Sequence, residues 1–222
     1  MNDGTSSFDV LREVVAVGPL SLTLARPRSA EDLIDEGDYA RDERLPYWAE
    51  LWPSAHVLAA DLEPRALEGR RVIELGCGVG LPSIVAALRG ADVLATDWYE
   101  DALSFVRVNA RATGAPVQAR LLDWNDPPPD LLAQEARRDL VIGADLLYEA
   151  RNGAALARLL PALLRPGGEV LIADPRRPHA DALLEPLVAT GWGHELREVR
   201  HSGRPDESGP VVNLHRLIAP GV

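Results

Sequence analysis

The stretch Arg71-Val-Ile-Glu-Leu-Gly-Cys-Gly-Val-Gly-Leu81 decides the fold. A short apolar run, Arg71 to Leu75, ends in a glycine-rich turn, and Pro82 opens a helical pattern through Ile84, Val85 and Leu88. Proline suits a first helical turn because its missing N–H has no intrahelical partner there. Glycines at such a strand-to-helix turn let the backbone pass close to a ligand, and the helix N-terminus points its amides at it. Gly76-x-Gly78-x-Gly80 alone is also what a tight turn looks like, so the surrounding sequence has to carry the reading.

Outward from the loop, strand and helix patterns alternate. Ala55, Leu58, Ala59 and Leu62 fall at helical spacing after Pro53. Downstream, Val93 to Thr96 reads as a second strand, Leu103, Val106 and Ala110 as the next helix, and Val117 to Leu122 as a third strand. Asp139 to Gly143 is a fourth strand, Leu156 to Leu164 a helix that Pro161 should kink or end, and Glu169 to Ala173 a fifth strand behind Pro166-Gly167-Gly168. Strands joined by helices return in the same direction, so the pattern predicts an α/β fold with a parallel sheet covered on both faces. The chain ends differently. After a helix at Leu183 to Thr190, Glu195–Arg200 and Val211–Ile218 are two strands joined by a loop too short for a crossover, which forces an antiparallel hairpin. At the other end, Val10–Val17 and Leu20–Ala25 flank Gly18-Pro19 and predict a β-hairpin, followed by an acidic stretch from Glu31 to Glu43. Residues 1–50 are therefore expected to be an extension whose acidic loop is solvated or forms a lid, and residues 51–222 the main domain.

The 222 residues carry a net charge of -11, and all 23 basic residues are arginine. Nucleic-acid affinity rests on clustered cations that release counterions, so this balance argues against a nucleic-acid partner. The single cysteine, Cys77, cannot form an internal disulfide, and no apolar run reaches membrane-spanning length. The expectation is a soluble cytoplasmic chain without membrane contact; the sequence leaves the oligomeric state open, with a monomer slightly favoured. The five histidines are dispersed without ligand spacing, so no metal is expected. His179 and His201 fall in loops after the fifth and sixth strands, as ordinary loop residues or at a substrate mouth.

Two acids sharpen the reading of the loop. Glu74 precedes the first glycine by two residues, where an anion would repel a pyrophosphate but suits a cationic ligand, or orients the loop by accepting backbone N–H bonds. Asp97, at the end of the second strand, stands where an acid accepts bonds from ribose hydroxyls. Asp123 at the end of the third strand offers an acceptor to an adenine amine, with Trp124 as one flat wall and Trp98 as the opposite one. A strand-end cap for each acid and a core role for each aromatic are the plain alternatives.

These residues resemble a known family. Glu74-Leu-Gly-Cys-Gly-Val-Gly-Leu81, Asp97 and Leu122-Asp123-Trp124 are similar to the successive motifs of class I, seven-strand S-adenosylmethionine-dependent methyltransferases. More narrowly, Pro46-Tyr-Trp-Ala-Glu-Leu-Trp-Pro-Ser54, Asn109 in Val106-Arg-Val-Asn-Ala110, and Ala144-Asp-Leu-Leu-Tyr148 resemble methyltransferase family 16. That group includes protein-lysine methyltransferases and bacterial relatives of the electron-transfer-flavoprotein β-subunit lysine methyltransferase. The resemblance covers about residues 46 to 175. It implies a Rossmann-like seven-stranded sheet and S-adenosyl-L-methionine as cofactor. By the same resemblance Trp52 lies against the cofactor, Glu74 and the loop Gly76, Cys77, Gly78 and Gly80 approach its amino-acid end, Asp97 holds its ribose, and Asp123 and Trp124 bound its adenine; Trp98 and Ala144 are expected beside it. Asp145 and Tyr148 look like the group's signature at the substrate mouth and would be catalytic. Asp145 would aim an amine by accepting its N–H, and Tyr148 would offer its ring face or hydroxyl. For Asp145 a helix N-cap, and for Tyr148 a packed aromatic, are the structural alternatives.

No proline follows the fourth strand, unlike the rigid Asn/Asp-Pro-Pro-aromatic turn of nucleic-acid amine methylases, so Ala144 to Tyr148 weighs against a base amine. The expected acceptor is a lysine of a protein partner, with a small amine or heterocycle as the alternative. An NAD-dependent oxidoreductase is disfavoured by Glu74, by Leu81 at the third fingerprint position and by the hairpin ending; a non-catalytic nucleotide-binding module is the remaining class. Cys77 inside the loop reads as a small buried filler. The acidic stretch lies just before Trp48 and Trp52, where it would steer a basic partner.

Overall fold

A computed structural model describes residues 5, 7–30, 33, 46–201 and 209–221. Seven strands form one sheet: β3 (Arg71–Leu75), β4 (Asp92–Asp97), β5 (Val117–Leu121), β6 (Arg138–Ala144), β7 (Leu164–Asp174), β8 (Gly193–Arg200) and β9 (Val211–Ile218). Their order across the sheet is β5-β4-β3-β6-β7-β9-β8, with β3 to β7 parallel. The chain steps outward from β3 to β5, returns to lay β6 beside β3, and steps outward the other way. That reversal creates a switch point between β3 and β6, where loops leave the strands' carboxyl ends in opposite directions and open a crevice. At the far edge β9 runs antiparallel to both β7 and β8, filling the gap that the last crossover leaves between them.

The central strands carry buried apolar runs, Val72–Ile73 in β3, Val93–Ala95 in β4, Leu140–Ile142 in β6 and Val170–Ala173 in β7, as a sheet covered on both faces requires, whereas the edge strand β8 is largely exposed. On one face lie α1 (Pro53–Leu62), α2 (Leu81–Leu88) and α3 (Glu100–Thr113); on the other, α4 (Pro129–Leu132), α5 (Ala150–Leu163) and α6 (Asp181–Ala189). None of the helices among the described residues is long and apolar enough to cross a membrane.

The expected amino-terminal hairpin is present as β1 (Val10–Val17) and β2 (Leu20–Pro27), paired antiparallel. It forms a separate two-stranded sheet, yet its inner residues Val15, Val17, Leu22 and Leu24 belong to the same buried cluster as α1 and α2. The joint to α3 is polar. The Asn109 side chain accepts the Ala25 N–H at 2.7 Å and donates to the Ala25 carbonyl at 2.9 Å and the Val79 carbonyl at 3.0 Å. It thereby occupies the free edge of β2, where a third strand would otherwise pair.

Three local expectations are corrected. The helix expected from Leu156 begins at Ala150 and runs through Pro161 to Leu163, because a proline so near the end frees a single carbonyl of the preceding turn. The fifth core strand begins at Leu164 instead of Glu169. Arg138 pairs with Leu164 and Leu140 with Glu169, so Arg165 to Gly168 bulge out of the register around Gly167 at φ +69°. The helix expected to reach Thr190 spans Asp181–Ala189. Apart from Leu33, the acidic stretch from Glu31 to Glu43 and its possible role as a lid lie outside the described residues.

Candidate active site

Four consecutive loops meet above the switch point, and those after β3, β5 and β6 are each fastened by an early amide to the neighbouring strand. The Cys77 N–H donates to the Thr96 carbonyl at 2.9 Å, Leu122 N–H to the Asp97 carbonyl at 2.9 Å, and Asp145 N–H to the Ala173 carbonyl at 2.8 Å. They surround a cavity that all thirteen sequence-predicted residues line. From the glycine loop come Glu74, Gly76, Cys77, Gly78 and Gly80; from the end of β4, Asp97 and Trp98; from the end of β5, Asp123 and Trp124. Ala144, Asp145 and Tyr148 line it from the end of β6, and Trp52 closes it from the amino-terminal side of α1. His179 and His201 do not line it; His201 stacks on His56 with ring centroids 5.0 Å apart.

The loop's glycines have separate reasons to be glycine. Gly78 sits at φ +52°, and a Cβ there would stand 3.0 Å from the Trp48 carbonyl oxygen. Gly76, at φ +60°, would bring a Cβ to 2.7 Å from the Leu146 side chain. Cys77 is buried against Leu103 and Val106, and burial pushes its thiol well above the ordinary range, as fits a filler rather than a nucleophile.

Two carboxylates are buried beside the glycine loop. Glu74 is 1% exposed, and one oxygen accepts the Ser83 backbone N–H at 2.9 Å and the Ser83 hydroxyl. Of the two uses foreseen for Glu74, fastening the loop to the start of α2 is therefore realised. Desolvation, with the Asp97 charge adding to it, nevertheless pushes Glu74 up to about 8. Asp97 accepts the Gly78 N–H at 2.9 Å and the Tyr99 N–H at 3.0 Å, one on each oxygen. Burial raises its pKa, and those backbone bonds oppose the rise. A carboxylate has about four lone-pair positions, so acceptor capacity remains on both oxygens. Two buried acids side by side form a place for a cation, whose charge would favour their ionised forms.

The wall is aromatic. Trp124 lies beside Gly76, and Trp98 is 41% exposed at the rim. Asp123 accepts the Asn125 N–H at 2.8 Å, closing the turn that aims Trp124. On the opposite rim the Tyr47 ring meets Trp52 and Tyr148 edge-on, with centroids 6.1 and 5.5 Å away. The Trp52 indole N–H donates to the Tyr47 carbonyl at 2.9 Å.

Asp145 adopts φ +55°, rare for a residue with a side chain, and is nearly buried. It caps no helix; α5 begins at Ala150 after Glu149. Its two oxygens receive Nε and Nη2 of Arg177 at 2.8 and 2.9 Å. Sequence reading passed over Arg177, since nothing local links it to Asp145; the contact exists because β6 and β7 are neighbours. Leu146 and Gly143 were also passed over. The Leu146 side chain occupies the space beside both Gly76 and Gly143, so a Cβ at either would collide with it.

A family model described as "Lysine methyltransferase" matches residues 46–184. The chain is 39% identical over 183 residues to "Protein N-lysine methyltransferase METTL21A" of Danio rerio, covering 79% of each. It is 34% identical to "Electron transfer flavoprotein beta subunit lysine methyltransferase" of Xenopus laevis, over 60% of this chain and 53% of that one. Among solved structures, a T. Thermophilus 16S rRNA methyltransferase in complex with AdoMet and guanosine superposes with a TM-score of 0.67 at 17% identity, over 95% of this chain and 50% of that one, which speaks to fold.

Proposed function

The chain belongs to the lysine methyltransferase family and is an S-adenosylmethionine-dependent enzyme; we propose that its acceptor is the side-chain amine of a lysine in another protein. The acceptor must come from another molecule because the sequence contains no lysine. Bound in the cavity, S-adenosylmethionine supplies a methyl group carried on a cationic sulfonium.

The observation that carries the reading is the pair of buried carboxylates beside the glycine loop, Glu74 and Asp97, which suits a cationic ligand bearing an amine and a ribose. Glu74 and the backbone of Gly76 to Gly80, with Cys77 and Ala144 beside them, are assigned to the amino-acid end, and Asp97 to the ribose hydroxyls. Asp123 is assigned to the adenine amine, with Trp124 and Trp98 as the walls around the ring, and Trp52, just before α1, lies against the cofactor. At the acceptor side, Asp145 uses a remaining lone pair to aim the amine, and Tyr148 with Tyr47 presents aromatic surface to the aliphatic stem and the charge that forms. In-line methyl transfer needs alignment and a neutral amine more than covalent help, so these are positioning tasks. The net charge of -11 favours encounter with a lysine-bearing, basic segment.

Incubation with methyl-labelled S-adenosylmethionine and a cell lysate, followed by separation of proteins from metabolites and acid hydrolysis, tests the assignment. Label recovered as methyl-lysine is expected. Label confined to small molecules would transfer the assignment to a small-amine methyltransferase, and tight NAD binding without S-adenosylhomocysteine binding would remove it altogether.

A further inference from the structure

Asp145 lines the cavity, whereas Arg177, whose guanidinium grips its carboxylate, does not. Arg177 therefore acts on the acceptor side through Asp145. Its grip is bidentate, the geometry in which a guanidinium and a carboxylate hold each other in one orientation. The backbone is fixed at three further points: Asp145 N–H on the Ala173 carbonyl, Asn152 Nδ2 on the Leu146 carbonyl at 3.0 Å, and Arg177 N–H on Asp174 Oδ2 at 2.9 Å. A non-glycine residue at φ +55° persists only where its surroundings over-determine it.

The charges around the pair are uneven. The groups acting on Arg177 are Asp145, Asp174 and Tyr47. Asp174 is fully buried at the end of β7, its Oδ1 has no hydrogen-bond partner among the described residues, and desolvation pushes it up to about 6. Arg176, alongside, is engaged by Glu198 at 2.6 Å. Asp145 thus faces the acceptor with one guanidinium committed to it and one buried acid behind.

A lysine amine has a pKa of about 10.4 in water, so only a small fraction is neutral near pH 7. A bare carboxylate at the mouth would bind the amine as ammonium and hold it in the form that cannot react. We propose that Arg177 is a positioning residue that cancels the Asp145 charge while fixing its outward lone pair, so that the acceptor amine is aimed without being stabilised as ammonium. The neutral nitrogen's lone pair then forms the N–C bond as the C–S electron pair returns to sulfur, and the ammonium product sheds its proton to water.

This inference rests on the lysine reading above, and the test separates the two. Arg177→Met keeps most of the apolar stem and removes the charge; Arg177→Lys keeps a charge without the fork. For both variants and the wild type, label transfer to lysate lysines is followed as kcat, at saturating acceptor protein, from pH 6 to 10, because kcat reports the ionisation of the bound amine, with S-adenosylhomocysteine affinity and amide exchange over residues 144–148 as readouts independent of turnover. In Arg177→Met the acidic limb should move up by about one pH unit, a loss of about tenfold at pH 7 that closes by pH 10. Exchange over 144–148 should quicken, S-adenosylhomocysteine affinity should stay within about twofold, and Arg177→Lys should restore much of the limb but less of the protection. An equal loss at every pH, with the limb unmoved, would overturn the proposal and leave a purely structural clamp. Label in a metabolite would overturn the lysine reading, with the limb comparison then made on that product. A wild type that labels nothing would overturn both.

Discussion

Replacing Asn109 with alanine should be among the most costly single changes outside the cavity, and its size can be worked from the structure. The side chain is fully buried and serves the Ala25 N–H, the Ala25 carbonyl and the Val79 carbonyl. Ala25 is itself buried, and among the described residues no strand flanks β2 on that side to take over. Each lost bond is worth about 1 kcal/mol, and leaving buried groups unpaired adds to it, so the total should be about 3–5 kcal/mol. For a chain of this length that corresponds to a fall in Tm of roughly 6–20 °C. Asn109→Asp should be no better: it keeps the acceptor for Ala25 N–H but turns a carboxylate oxygen toward two carbonyls. Because Val79 belongs to the glycine loop, S-adenosylhomocysteine affinity should fall along with stability. Denaturant and thermal unfolding with calorimetric titration measure both. An Asn109→Ala protein within about 1 kcal/mol of wild type would refute the claim that this amide fastens hairpin, helix and loop together.

Three further outcomes are expected. Unfolded, Glu74 ionises near its ordinary value of 4.5, but folded only near 8, so between these pH values the native state retains a proton that the unfolded state has released. Stability should therefore decline as pH rises through that window, and Glu74→Gln should flatten the decline; an unchanged slope would contradict the burial argument. An ammonium-bearing ligand favours ionised Glu74, so S-adenosylhomocysteine binding near pH 7 should release a proton, seen as a binding enthalpy that varies with the buffer's ionisation enthalpy. Gly78→Ala combines a left-handed backbone with a Cβ pressed on the Trp48 carbonyl, and should lower S-adenosylhomocysteine affinity at least tenfold, roughly 1–3 kcal/mol of strain. Unaltered binding would show that the loop relaxes freely.

How far the sequence discloses this molecule depends on whether a feature is local. Glycines at a strand-to-helix turn, an acid ending each of the next two strands and the Ala144 to Tyr148 run are each readable in place, because every one follows a strand by a few residues. The parallel order then carries those strand ends to one rim, which is why all thirteen expected positions line a single cavity. Helix boundaries were less legible. Pro161 announces a break that the tertiary packing of Leu156, Leu159, Leu160 and Leu163 overrides. Asn109 was visible as part of a motif, but not its task, since its partners are 84 and 30 residues away.

Arg177 marks where reading in place ends. It lies 32 residues beyond Asp145, in a run of basic and small residues with no pattern of its own. What joins them is sheet adjacency: β6 and β7 pair in parallel through Ala144 and Ala173, so the residues immediately after both strands emerge side by side. The same adjacency joins Cys77 to Thr96 and Leu122 to Asp97 by backbone bonds, and Gly78 to Asp97 by a side chain. Once strand order is known, the loops that must touch can be enumerated, and a charged residue within three positions of each strand end becomes a candidate partner. By that rule the sequence reading needed only the order β3-β6-β7 to turn from Asp145 to Asp174 and Arg177. The Asp145–Arg177 pairing is thus a product of topology, whereas the glycine loop, its acids and the Ala144 to Tyr148 run are a product of local sequence.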